Sequence, residues 1–144
     1  MSPRPRGRTA PCDRDAARVR LRHAESFLAV ADLVLAQPDD TEMAPTSVAA
    51  SLAVLAGIAA ADAACCAALH RRARGQSHVE AVGLVRSVAS VGEQMARDLD
   101  RLLTLKDGAQ YGVLTVSRET AASSVAWARR LAAGAASVVA GTGS

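Results

Sequence analysis

The stretch VAASLAVLAGIAAADAACCAAL, Val48–Leu69, decides the fold. It is dominated by alanine and leucine, both strong helix formers. The run is long and apolar enough to cross a bilayer. However, it is mostly alanine, and Asp62 stands near its middle. A central Asp costs roughly 2.5–3.5 kcal/mol on insertion, and alanine offers little in return. The stretch therefore reads as the buried core helix of a soluble protein. Leu55, Ile58, Cys66 and Leu69 form its inner stripe, with Asp62 at the centre.

The same pattern extends in both directions. Of the 144 residues, 50% are apolar but only 2% are aromatic, and no segment alternates like a strand, so a packed sheet is not expected. A first helix is predicted from about Asp15 to Ala36, capped by Asp13 or Asp15. The second runs from about Thr46 to Arg72 and stops at Gly75. Ser77-His78-Val79-Glu80 has capping-box spacing and opens a short third helix, to about Val88. Ser90-Val91-Gly92-Glu93 repeats that spacing and opens a fourth, to about Gln110. Ser117 caps a fifth, Arg118 to about Val139. The expected architecture is all-α, an up-and-down bundle of about five helices with a long second helix. The bundle spans 15–139, between a disordered basic tail at 1–14 and a frayed end at 140–144.

Charge and cysteines bound the function. Residues 1–20 carry six arginines against Asp13 and Asp15, a net +4, whereas the rest carries eleven basic and twelve acidic residues, a net −1. The tail can touch phosphates or serve only as a solubilising leader. Cys12, Cys65 and Cys66 suggest neither a disulfide framework nor a metal site, which fits a reducing cytoplasm. Cys65, Cys66 and Trp127 read as core residues. The N-terminal arginines have no apolar stretch behind them, so no secretory signal is expected. Phosphate loops, dinucleotide fingerprints, HExxH and GxSxG are all missing from the sequence. No cofactor or metal is expected, and no membrane. Three aromatics are too few for a base-stacking platform.

A few polar residues fall where apolar ones should be. Asp62 needs a partner if buried. Counting back across the first loop at equal rise puts it level with Arg20 or His23, and Arg20 lies on the apolar side of its helix. A structural pair with Arg20 or His23 is expected, the alternative being a functional acid. In the fourth helix Lys106 and Gln110 continue the stripe of Met95, Leu99, Leu102 and Leu103, within about 20° of Leu99. Lys106 is either a last-turn lysine favoured by the dipole or a residue covered by a partner or substrate. With short connections, one pole of the bundle should gather Arg71, Arg72, Arg74, His78, Lys106, Tyr111 and Arg118. His78 there is either an exposed first-turn residue or a base or phosphate ligand.

LAGIAAADAACCAALHRRARGQSHVEAVGLVRSV (Leu55–Val88) followed by RLLTLKDGAQYGVLTVS (Arg101–Ser117) resembles the HEPN superfamily of prokaryotic helical domains, over about residues 15–138. The likeness is to small actinobacterial members with a central acid in a long second helix before an RGQxH loop. It implies an up-and-down bundle, often a homodimer. It further implies a metal-independent ribonuclease or an RNA- or nucleotide-binding module, often a toxin paired with a nucleotidyltransferase-type antitoxin. Active members carry Arg, four to six residues, then His. The Arg stabilises developing phosphorane-like charge and the His moves the 2′-hydroxyl proton. Here the corresponding stretch, Lys106–Tyr111, has Lys for Arg and Gln for His. Arg18 to His23 and Arg72 to His78 both match the bare spacing. Arg72 and His78 are the better catalytic candidates because they share the pole with Lys106 and Tyr111. Arg71, Arg74, Lys106 and Tyr111 are the nucleic-acid-binding candidates. Two functions follow: an RNA- or nucleotide-associated protein, or a helical interaction module such as an antitoxin or partner subunit.

Overall fold

In the computed structural model, which describes residues 8–39, 44–75, 77–109 and 114–141, the chain order is β1 (Thr9–Pro11), α1 (Arg14–Leu35), α2 (Pro45–Leu69), β2 (Arg71–Ala73), α3 (His78–Arg86), α4 (Gly92–Asp107) and α5 (Arg118–Gly141). The molecule is thus an all-α bundle with a long second helix, five helices being present among the described residues.

Helix α2 is its centre. It starts on Pro45, whose missing N–H costs nothing in a first turn. Ala49, Ala53, Ala56, Ala60, Ala63 and Ala64 are all fully enclosed. Such all-round burial is what an all-round apolar helix needs. The helix is long and apolar enough to cross a membrane, yet 67% of its most apolar window is buried inside the bundle. Alanine lets neighbouring backbones come close, and Gly57 is the extreme case. A Cβ there would collide with Leu102 Cδ1 of α4 and lie 3.2 Å from Leu131 of α5.

Helix α1 opens on the expected cap, with Asp13 Oδ1 accepting from the Ala16 N–H at 2.8 Å. It runs antiparallel to α2, so the start of α1 lies beside the end of α2. This arrangement corrects three expectations. Helix α2 does not reach Arg72: His70 takes a left-handed conformation, φ 59°, and ends it. The next residues form β2, which pairs antiparallel with β1 in the register Thr9↔Ala73, Ala10↔Arg72 and Pro11↔Arg71. Residues 8–14 are therefore not part of a disordered tail. Cys12 and Cys66 are joined in a disulfide, with their Cα atoms 5.3 Å apart. The expectation of unpaired cysteines fails because the α1–α2 hairpin cancels a sequence separation of 54 residues.

The second hairpin, α3–α4, opens as expected at one end only. Ser77 Oγ accepts from the Glu80 N–H at 3.2 Å. The Glu80 carboxylate does not close the box; it accepts from the Arg8 N–H at 3.3 Å, outside β1. Ser90 does not cap α4. It has φ 72°, and the capping position is Val91, which makes no side-chain bond. Gly92 explains the shift, since a Cβ there would clash with the Arg86 carbonyl and sit 2.8 Å from that of Val85. Helix α5 packs its Ala121–Ala135 face on α2 and continues to Gly141, two residues past the expected end. Residues 142–144 lie outside the described residues.

Candidate functional site

A cavity of about 240 Å³ opens where the end of α2, β2, the start of α3 and the end of α4 meet. Its polar lining is Asp62, Arg72, Arg74, His78, Lys106 and Asp107, and Cys65, Leu99 and Leu103 form its floor. Four of the residues singled out at one pole, Arg72, Arg74, His78 and Lys106, are thus brought together. The others are not. Arg71 is exposed on β2 and does not line the cavity. Tyr111 lies outside the described residues. Arg118 is at the far end of α1, a correction to the expected pole. It donates to the carbonyls of Leu35 at 2.6 Å and Gln37 at 2.7 Å, and pairs with Asp39. It satisfies the last carbonyl of α1 and that of Gln37 in the loop beyond, and α5 consequently starts at the opposite end from the cavity.

Asp62 is mostly buried, and Arg20 Nη2 donates to its Oδ2 at 3.2 Å. His23 is not its partner: Arg20 Nη1 lies 3.1 Å from the His23 Nδ1 instead. Burial pushes the Asp62 carboxyl above the ordinary range, opposed by the charges of Arg20 and Arg72. Next to it, burial and the Asp62 charge push the Cys65 thiol up to about 12. Cys65 therefore stays protonated, a poor nucleophile.

His78 sits between two carboxylates of α4. Its Nδ1 lies 2.7 Å from Asp107 Oδ2, and its Nε2 lies 2.7 Å from Asp100 Oδ1. The Asp107 hydrogen bond is the largest influence and raises the imidazole above its usual value; burial, the next, opposes it, and the Asp100 hydrogen bond and the charges of both carboxylates raise it further. Two carboxylates can be satisfied at once only by an imidazolium, which donates from both nitrogens. No lone pair is left to accept a proton from a substrate. Asp100 and Asp107 were missed in the sequence. Their spacing of seven residues, two helical turns, placed them on one face of α4 and was the available signal.

Lys106 continues the apolar stripe of α4 in position, but its side chain is exposed at the cavity rim. The carboxylates of the lining are already engaged, Asp62 by Arg20 and Asp107 by His78. Arg74 and Lys106 have no ion-pair partner among the described residues. The lining thus has spare positive charge and N–H donors. Among the described residues no group of three His, Cys, Asp or Glu side chains is placed to hold a metal ion. A second groove adjoins the cavity, lined by Ala16, Val19, Arg20, Asp62, Cys66 and Arg72. Asp62 and Arg72 belong to both.

Away from this site, Asp98 of α4 is fully enclosed and held by Arg130 of α5. Trp127 is half-buried, with the Arg101 guanidinium 5.7 Å from its ring centre. These contacts lock α4 to α5.

No protein-family model and no curated protein matches this sequence.

Proposed function

We propose that this chain is a HEPN-like helical protein that holds a phosphate group, of RNA or of a nucleotide, in the cavity between β2, α3 and α4, and does not cleave it. The observation that carries this reading is the set of cations in the lining. Arg72, Arg74 and Lys106 converge on one cavity whose carboxylates are already engaged by Arg20 and His78. Guanidinium groups suit phosphate oxygens in a fork geometry, and a lysine adds a point charge. Cleavage by Arg72 and His78 is not favoured, because both imidazole nitrogens are occupied. Asp62 is on this reading a structural acid that fixes Arg20 and the α1–α2 register.

The test is titration of a labelled oligoribonucleotide and of a nucleoside diphosphate at several salt concentrations. Binding should weaken steeply as salt rises, and Arg74→Ala/Lys106→Ala should weaken it about tenfold or more, two charge-assisted contacts being lost. No binding at low salt, or equal binding by the double variant, removes the reading. On a mixed RNA pool, wild type and His78→Ala should give the same background cleavage.

A second reading rests on another observation. Leu33 is 69% exposed, and Val30 of α1 and Leu55 of α2 are each 46% exposed. Exposed apolar side chains of this size suit a protein partner. On that reading the chain is a homodimer, or the antitoxin or partner subunit of a nucleotidyltransferase-type protein. For either reading the proposed location is the cytoplasm, where the Cys12–Cys66 bond is open to reduction by thiols, since persistent disulfides belong to oxidising compartments.

A further inference from the structure

We infer that the Cys12–Cys66 bond regulates the phosphate site by holding the strand that scaffolds its basic wall. The inference rests on the phosphate-binding reading of the cavity.

The wall comprises Arg72–Gly75 with Ser77 and His78, between two helix ends. What holds it in place is β1. Arg72 and Ala73 are paired with Ala10 and Thr9. The Arg74 N–H donates to the Arg8 carbonyl at 2.8 Å, and the Cys12 N–H donates to that of His70 at 3.0 Å. A two-stranded pair of this length is not stable in water by itself. Its support is the disulfide that immediately follows β1 and pins Cys12 to the last turn of α2. Arg72 then links the two features, because it lines both the cavity and the groove against which Cys66 lies.

A reductant reaches the bond from the Cys12 side. Cys66 itself is fully enclosed, but Cys12 is only half-buried. Arg20 and Arg72 line the groove beside Cys66; Asp62 there is paired with Arg20, and Arg72 has no ion-pair partner among the described residues. Cationic surroundings attract an incoming thiolate and stabilise the departing one. The reductant is a dithiol. One of its thiolates attacks the Cys12 sulfur and the S–S bond breaks. Its second thiolate then attacks the first sulfur of the reductant in the mixed disulfide, and Cys12 leaves as a thiolate. Two electrons and two protons pass to Cys12 and Cys66, which become thiols, and the dithiol becomes a disulfide. Cys65 does not intervene as an alternative partner, since burial keeps its thiol protonated.

With the bond open, β1 can leave β2, and the wall must be re-ordered when the ligand binds. Re-ordering even one or two backbone residues weakens binding by about tenfold. The experiment uses the full chain with the labelled oligoribonucleotide as probe. Affinity is measured for the oxidised protein, the dithiol-reduced protein and Cys12→Ser. Amide hydrogen exchange at Arg72 and Arg74, whose N–H groups face β1, is followed in parallel. The expected result is about tenfold weaker binding by the reduced protein and by Cys12→Ser, with faster exchange at both amides. Should Cys12→Ser fail to fold, reduced wild type supplies the same comparison. Equal binding in both redox states, or unchanged exchange on reduction, overturns the regulation and leaves the site reading standing. No binding even by the oxidised protein overturns both.

Discussion

Arg130 closes over Asp98 with two hydrogen bonds, Nη2 to Oδ1 at 2.8 Å and Nε to Oδ2 at 3.2 Å. The carboxylate has no exposed surface, whereas the arginine side chain keeps 51% of its own. Gln94 donates to the same carboxylate at 3.1 Å, and Arg101 lies 3.6 Å away. The pair ties α4 to α5 at the level where Met95 packs beside Gly134. Asp98→Ala is expected to cost about 1.5–3 kcal/mol, the range for hydrogen bonds to a charged group. Arg130→Ala should also be destabilising, because it strands the carboxylate. Urea unfolding of both variants checks this; wild-type midpoints would show that the pair is incidental.

The Arg20–Asp62 pair gives a pH-dependent prediction. Asp62 already has a raised carboxyl, with burial the chief cause and Arg20 the first opposing one. Removing Arg20 raises it further. A raised carboxyl binds protons in the folded state that the unfolded chain has released, so stability falls as pH rises through the folded value. Arg20→Ala should therefore cost about 1–3 kcal/mol at neutral pH, and less as pH falls toward the ordinary Asp value. Adding Asp62→Asn should recover part of the neutral-pH loss. Melting curves over this range test it, and a pH-independent loss would show that packing of the Arg20 stem is what matters.

His78 behaves with the opposite charge but the same slope. Its folded value is raised above 6.5, chiefly by Asp107 and then by Asp100. Its contribution to stability is complete below the unfolded value and is lost as pH rises through the folded one. The melting temperature of wild type should exceed that of His78→Gln most in mild acid, and the difference should shrink above neutrality. Asp107→Asn should remove more of it than Asp100→Asn. NMR titration of the imidazole measures the shift directly.

Two glycines should respond in opposite ways to alanine. Gly83 of α3 is exposed, and a Cβ there meets nothing within 4 Å. Gly83→Ala should stabilise by about 0.5–1 kcal/mol through helix propensity. Gly57→Ala gains the same propensity, but the new methyl collides with Leu102, which has no exposed surface to retreat into. Overpacking of this kind costs about 1–3 kcal/mol, so the net change should be destabilising or zero. Thermal unfolding of the two variants decides it.

The helical core was legible because composition alone specifies it: a run as apolar as α2 has to be buried. The Arg20–Asp62 pair was legible too, since two helices joined by a short loop must run side by side at equal rise. Neither β1 nor the disulfide could be read the same way. Three residues are too few for an alternating pattern, and Cys12 meets Cys66 only once α1 and α2 have docked. Ser90 misled because its local spacing matches a cap, whereas the close approach of Gly92 to the α3 carbonyls sets where α4 begins. Asp98 stands between Arg97 and Asp100 in the sequence, a context that reads as a solvated face. Its burial depends on Arg130, 32 residues away on another helix. In the cavity, the basic residues were visible as a cluster, but the engagement of His78 by α4 was not, because it depends on how the α3–α4 hairpin closes.

The alanines of α2 also set what the chain can become. With so many methyl-sized side chains at zero exposure, a substitution there is filtered by volume before chemistry. Exchange among Ala, Gly, Ser and Cys keeps the helices at their present spacing, whereas one added isopropyl group pushes α1 or α5 outward along its whole length. Divergence at these positions is therefore channelled into a four-letter alphabet, while α1 and α4 are free to vary on their outer faces. Distant kin of this chain would share with it a pattern of smallness rather than a string of identities.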